Sequence, residues 1–319
     1  MNQLLLCADI GATNARFASV QANGQGFDIL ASKRLSTPSF ADPDALIQAA
    51  LAALPGDYQA LALALPGPVV DGRCHLTMLP WVLDARVLSA ALAIPVWLLN
   101  DLEAQGWGLA HLAAEELIEL TPGRNGSPGN RCILAPGSDL GEAILFWDGQ
   151  RHRPFATEGG HADFAPDPES ELQVRLAELL HDQYGHARWG DLLSGRGILS
   201  LYRLLADDPQ CCLAGEDISQ KAMAGDSAAR AAIDAFLGIL GREAANLALK
   251  AMALDGVYIA GGIVPALPRD WLAPIQNAFD AKPSMHQLLS RMPLRLVRSS
   301  CLGQIGAAAY LGSVHRWLH

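Results

Sequence analysis

LLLCADIGATNARFASV, residues 4–20, reads as a buried strand, a turn built on Gly11 and Thr13, and a second strand running back. RCILAPGSDLGEAILFW, residues 131–147, repeats that layout around Gly137 and Gly141. Two strand–turn–strand units in one chain predict a duplicated α/β architecture whose two turns face each other across a cleft. Working outward, ARFASVQ and FDILASKRL alternate around the turn NGQG, and PDALIQAALAAL carries a helical period behind Pro43. YQALALALPGPV is a strand and a turn, and VLSAALAI is a helix leading into the apolar strand PVWLLND. The second half continues with a long helix from Ser227, the strand GVYIAGG and a terminal helix near GQIGAAAYLGSVHRWL. Alternating β and α elements imply a largely parallel sheet, with Asn100 and Asp101 at a strand's carboxyl end, where α/β proteins place ligands.

The 319 residues, half of them hydrophobic, are ample for one large α/β unit or two domains. A net charge of −10 without any Lys/Arg-rich run argues against nucleic acid and anionic membrane surfaces as partners. No apolar run is long enough to span a bilayer, and the opening residues read as a strand because Asp9 interrupts them and no basic leader precedes them. The expected compartment is the cytoplasm. Six cysteines without ligand spacing predict neither a disulfide framework nor a zinc site.

A Gly- and Thr-containing turn between strands presents backbone N–H groups in a concave row that suits phosphate oxygens. Asp9-Ile10-Gly11-Ala12-Thr13-Asn14 has this form, with Asp9 able to hold Mg²⁺, and Gly137-Ser138-Asp139-Leu140-Gly141 has it again. Taken singly, each is more often an ordinary hairpin turn. Neither is a Walker P-loop or a Rossmann fingerprint. Asn100-Asp101 could supply an amide and a general base, or simply cap a helix. In Glu158-Gly159-Gly160-His161 the glycines let backbone approach a ligand while carboxylate and imidazole accept from hydroxyls; a lone histidine is more often a satisfied interior one. Gly261-Gly262 after GVYI could lie against a flat ring or merely open a helix.

Taken together, DIGATNARF, LALPGPV, LTMLPW, LLNDLEAQGWGL, EGGHADFAP, LLSGRGI, LYR, NLAL and VYIAGGIVP resemble the bacterial glucokinase family, in its order and spacing over nearly the whole chain. The resemblance implies a two-lobed, duplicated actin-like ATPase (ribonuclease H-like) fold with central mixed sheets and a cleft between lobes. It implies a small domain of residues 1–111 joined by a C-terminal helix 302–319, a large domain 112–301, and a homodimer. The implied reaction uses ATP and Mg²⁺ to phosphorylate the 6-hydroxyl of glucose. By the same resemblance Asp9, Gly11, Ala12, Thr13 and Asn14 belong to the first phosphate loop, and Gly137, Ser138 and Gly141 to the second. Gly261 and Gly262 correspond to the adenosine segment, Asn100, Glu158 and His161 to sugar contacts, and Asp101 to the catalytic base.

Four departures from the family pattern stand out. Asp139 stands where a glycine would lie against phosphate; at an effective dielectric near 20, an uncompensated charge roughly 5 Å from a phosphate costs about 3 kcal/mol. Gly190, in HARWGDLLSGRG, stands where the family has a glutamate that accepts from the sugar. Met78 replaces an asparagine, and Lys282-Pro283-Ser284 replaces Lys-Gly-Arg. These departures give a second reading, a glucokinase homologue impaired in catalysis that acts as a sugar-binding or regulatory protein.

Overall fold

The computed structural model describes residues 3–23, 26–124 and 128–314. The described residues of Met1–Ala114, Arg153–Ala156 and Ser299–His319 make one compact unit, and those of Glu115–His152 and Thr157–Arg298 another.

The first unit is built from β1 (Gln3–Ile10), β2 (Asn14–Asn23), β3 (Gly26–Ser36), helix α1 (Pro43–Ala53), β4 (Ala60–Leu65), β5 (Val69–Val70), β6 (Arg73–His75), β7 (Val82–Asp84), α2 (Ala85–Leu92), β8 (Val96–Asn100) and α3 (Asp101–Gly108). Among the described residues its main sheet runs β3-β2-β1-β4-β8, and β5-β6-β7 form a small sheet of their own. β1 pairs antiparallel with β2 but parallel with β4, which is parallel to β8. The sheet is therefore mixed, not largely parallel, because the opening strands are joined by tight turns that only antiparallel neighbours permit. The residues Gly24 and Gln25 of the expected turn NGQG lie outside the described residues. β4, Ala-Leu-Ala-Leu-Ala-Leu, is buried at all six positions, as a central strand covered on both faces must be. Helix α1 starts where sequence rules put it: Pro43 fills its first turn and Asp42 accepts the Ala45 N–H at 2.8 Å.

The second unit carries β9 (Leu117–Thr121), β10 (Arg131–Pro136), β11 (Leu140–Trp147), the two ends of β12 (His152–Thr157), whose Arg153–Ala156 are grouped with the first unit, α4 (Glu171–Tyr184), α5 (Trp189–Leu192), α6 (Gly195–Leu205), α7 (Gly215–Met223), α8 (Ser227–Ala251), β13 (Gly256–Ile259), α9 (Ala273–Phe279), α10 (His286–Leu289) and β14 (Leu294–Val297). Its sheet order among the described residues is β12-β11-β10-β13-β14-β9. β10 pairs antiparallel with β11 and parallel with β13, and β13 is parallel to β14. The run β11-β10-β13-β14 thus repeats β2-β1-β4-β8 in order and sense, which is the duplication legible in residues 4–20 and 131–147. The long helix α8, capped by Asp226 on Ala229 at 2.9 Å, buries Phe236, Leu237 and Leu240 in the core of this unit.

The chain then returns to the first unit with α11 (Leu302–Val314), which packs against α3. Residues 315–319 of the expected terminal helix lie outside the described residues. A Cβ on Gly108 would stand 2.6 Å from the Leu302 carbonyl oxygen, so the two helices meet at backbone distance.

Candidate active site

In the first unit, β8 ends at Asn100 and α3 begins at Asp101. Asn100, 6% exposed, caps the helix: its Oδ1 accepts from Leu102 N at 2.9 Å and Glu103 N at 3.2 Å, while its Nδ2 donates to the Gly67 carbonyl at 3.3 Å. The amide's oxygen is thus spent on the helix, and what it can offer a ligand is its second N–H. Asp101 sits at the first helical position with Oδ1 accepting its neighbour's N–H, from Leu102, at 2.9 Å.

The turn between β1 and β2 is closed by Gly11 N donating to Asn14 O at 2.9 Å, and a Cβ at Gly11 would stand 3.3 Å from that same oxygen. Thr13 is exposed on it and Ala12 half-buried. Asn14 opens β2, and its Oδ1 accepts from Arg34 Nε at 2.9 Å. Below the turn, Asp9 lies 3.9 Å from Arg16. Burial raises its carboxyl above the ordinary range, and Arg16 opposes that shift. Asp9 offers an oxygen donor of the kind Mg²⁺ takes, the remainder of such a coordination sphere being phosphate and water. Among the described residues no cluster of three or more His, Cys, Asp or Glu could hold a metal by itself.

In the second unit, the turn between β10 and β11 comprises Gly137, Ser138 and Asp139, with Gly137 N donating to Asp139 O at 2.9 Å; Gly141 lies inside β11 opposite Ala135. Gly195 N donates to Gly137 O at 3.0 Å, tying this turn to the start of α6. Gly261 follows β13 with φ +82°, and its Cβ would stand 2.5 Å from the Pro136 carbonyl oxygen. Gly262 is exposed with nothing within 4 Å of a Cβ, which leaves an open backbone face suited to a flat ring.

Glu158 precedes a 3-10 turn, Gly159–His161. A Cβ on Gly159 would overlap Glu142 Oε2, and one on Gly160 would overlap the Leu140 carbonyl oxygen. These glycines therefore let the turn lie on β11, and ligand approach, the expectation from sequence, is not what requires them. The histidine also differs from expectation. Arg188 Nη1 donates to His161 Nδ1 at 2.7 Å, and because guanidinium only donates, the acceptor nitrogen is taken. The neutral ring then carries its proton on Nε2, 3.9 Å from Glu158 Oε2, and presents a donor to solvent while Glu158 supplies the acceptor.

Three residues not singled out in the sequence organise this region. Arg188 donates to Asp191 through Nη2 at 2.6 Å and Nε at 3.1 Å, and Arg196 Nη2 donates to the same carboxylate at 3.2 Å. Burial works to raise the Asp191 carboxyl, and the hydrogen bonds and charge of Arg188, then Arg196, outweigh it and leave it below the ordinary range. A pocket of about 500 Å³ opens here, lined by His161, Tyr184, His186, Arg188, Asp191 and Arg196. The Arg188–Asp191 spacing of three residues, from the cap of a short helix to its first turn, was the available signal.

Asp139 is not the uncompensated charge that the sequence suggests: Arg196 Nη2 lies 3.0 Å and Arg188 Nη2 3.8 Å from its Oδ2. Met78, by contrast, is exposed in the segment between β6 and β7.

The glucokinase family model matches residues 6–314. The chain is 33% identical over 318 residues to the glucokinase of Chromohalobacter salexigens, covering 98% of each. It superposes on the crystal structure of a glucokinase from an Antarctic psychrotroph with a TM-score of 0.82 at 28% identity, covering 98% of this chain and 99% of that one. A ROK-family glucokinase from Streptomyces griseus, in complex with glucose and AMPPNP, shares the fold at a TM-score of 0.68 and 21% identity, covering 96% and 98%. The fold is the actin-like ATPase fold of the sugar kinases, and with a family match from near one end of the chain to near the other, this protein belongs to the glucokinase family.

Proposed function

We propose that the chain transfers the γ-phosphoryl group of ATP to the 6-hydroxyl of a hexose, glucose giving glucose 6-phosphate. The observation that carries this reading is Asp101, a carboxylate fixed at the first position of α3 beside the capping Asn100. A base so held can accept the hydroxyl proton as the oxygen attacks phosphorus, and little other covalent chemistry is required of the protein. Glu158 accepts from, and His161 Nε2–H and Asn100 Nδ2–H donate to, sugar hydroxyls. The turns at Gly11–Asn14 and Gly137–Asp139 direct backbone N–H groups at phosphate oxygens, and Gly261-Gly262 receives the adenosine. Bound ATP with Mg²⁺ supplies the phosphoryl group and neutralises its charge; Asp9 is the residue that would hold the metal.

Membership of the glucokinase family and the pairing of glucose with AMPPNP on a neighbour of the same fold support this substrate pair. The same reading puts the chain in the cytoplasm as a homodimer in glycolysis. Among the described residues no helix is long and apolar enough to cross a membrane. The reading of an impaired homologue loses the charge repulsion that was its main support, because Asp139 is paired with two arginines.

A coupled assay with ATP, Mg²⁺ and a panel of hexoses tests the proposal. ATP-dependent turnover highest on glucose is the expected result; binding of glucose without turnover would instead establish the impaired homologue.

A further inference from the structure

Asp139 and Gly190 are far apart in sequence and share one space. A Cβ on Gly190 would overlap Asp139 Oδ1 and stand 3.2 Å from the Gly160 carbonyl oxygen. A side chain at 190 would therefore begin where the Asp139 carboxylate now lies, beside the turn that carries His161. The carboxylate is held in that space by the Leu140 N–H on Oδ1 at 2.9 Å and by Arg196 on Oδ2 at 3.0 Å. Arg188, which holds His161 Nδ1 at 2.7 Å, lies 3.8 Å from the same Oδ2. Two arginines and the carboxylates of Asp139 and Asp191 form a cluster without net charge, so Asp139 brings no uncompensated repulsion to a bound anion.

Each carboxylate oxygen has two acceptor directions, and these bonds use one on each. The side chain is 29% exposed, so acceptor capacity remains within reach of a ligand. An ionised acceptor held by charge-assisted bonds is a strong partner for a neutral hydroxyl.

We propose that Asp139 is a hydroxyl-accepting residue of the sugar subsite, carried on the turn between β10 and β11, aimed by Arg196 and Arg188, and made possible by the absence of a side chain at Gly190. The inference rests on the hexose kinase reading and deepens it. It assigns the carboxylate to the sugar, where the sequence suggested only a defect in nucleotide binding.

The test is calorimetric titration with glucose alone, together with steady-state kinetics in ATP and glucose, on the wild type and four variants. Asp139→Asn should weaken glucose binding and raise its KM by ~10-fold or more, the loss expected for a hydrogen bond to a charged group, while the KM for ATP stays within about 3-fold. Gly190→Glu alone should bind glucose as poorly, because its carboxylate and that of Asp139 compete for one space and neither is seated in it. Asp139→Gly should lose glucose affinity, and Asp139→Gly/Gly190→Glu should recover it to within about 5-fold of wild type, since a carboxylate from position 190 can enter the vacated space. A merely structural role for Asp139 would not give that recovery, so its absence overturns the inference even if the asparagine variant does not fold. Unchanged glucose affinity in Asp139→Asn, or a fall in its KM for ATP with glucose unaffected, also overturns it. A wild type that neither binds nor phosphorylates any hexose would overturn the kinase reading itself; a competent wild type with an indifferent Asp139 overturns this inference alone.

Discussion

Gly306 in α11 lies against Ala104 in α3 so closely that a Cβ added at Gly306 would overlap the Ala104 carbonyl oxygen. The helix that carries Asp101 at its start is thus held from behind by a backbone contact. Gly306→Ala must push α3 and α11 apart, and we expect a loss of about 1–3 kcal/mol, the usual cost of overpacking. Thermal unfolding measures the loss, and kcat should fall with it, because the displaced helix takes Asp101 along.

Asp101→Asn tests the base directly. The amide keeps shape and helix position but cannot accept the proton, so kcat should fall by ~10²-fold or more while glucose affinity stays within a few-fold. Turnover near the wild-type rate would remove Asp101 from the mechanism.

Arg188→Gln should destabilise the second unit by roughly 3 kcal/mol at neutral pH, because Asp191, only 2% exposed, loses its bidentate partner. The pH dependence has a defined sign. Asp191 in the folded protein titrates below its ordinary value of 3.8, so the stability it contributes is present above that value and lost as pH falls through the lower one. The gap in unfolding free energy between wild type and variant should therefore be full at neutral pH and narrow in acid.

Glu142 and Glu243 give the opposite slope. Both are almost fully buried; burial first, and then the like charge of Glu243, pushes Glu142 up to about 8, and burial also raises Glu243. A carboxyl raised above its unfolded value of 4.5 binds its proton more tightly when folded, so its contribution to stability declines as pH rises from that value towards 8. Glu142→Gln removes this titration, and its melting temperature relative to wild type should climb between pH 6 and pH 8 by several degrees, the shift of about 2 kcal/mol. An unchanged difference across that range would show that the pair does not titrate there.

Much of the fold could be read locally. β8, Asn100, Asp101 and α3 follow one another along the chain, and the change from a continuous apolar run to a capped helix is written in adjacent residues. The doubling of strand–turn–strand at residues 4–20 and 131–147 is likewise a local pattern repeated. Sheet sense was legible in part: the strand–turn–strand units already read as strands running back, as β1–β2 and β10–β11 do, whereas the expectation of a largely parallel sheet, drawn from the alternation of β and α, was too broad.

Sequence by itself determined the elements, the duplication and the family, because each rests on residue type at a fixed spacing, and short-range spacing is preserved on folding. Only tertiary structure decided what Gly159, Gly160, Asp139 and Gly190 do. Gly159 and Gly160 are small because β11 lies beneath them, and Asp139 is tolerable because Arg196, 57 positions away, neutralises it. Side-chain direction and shared volume fix such relations, and neither is a property of any residue until the chain has folded around it.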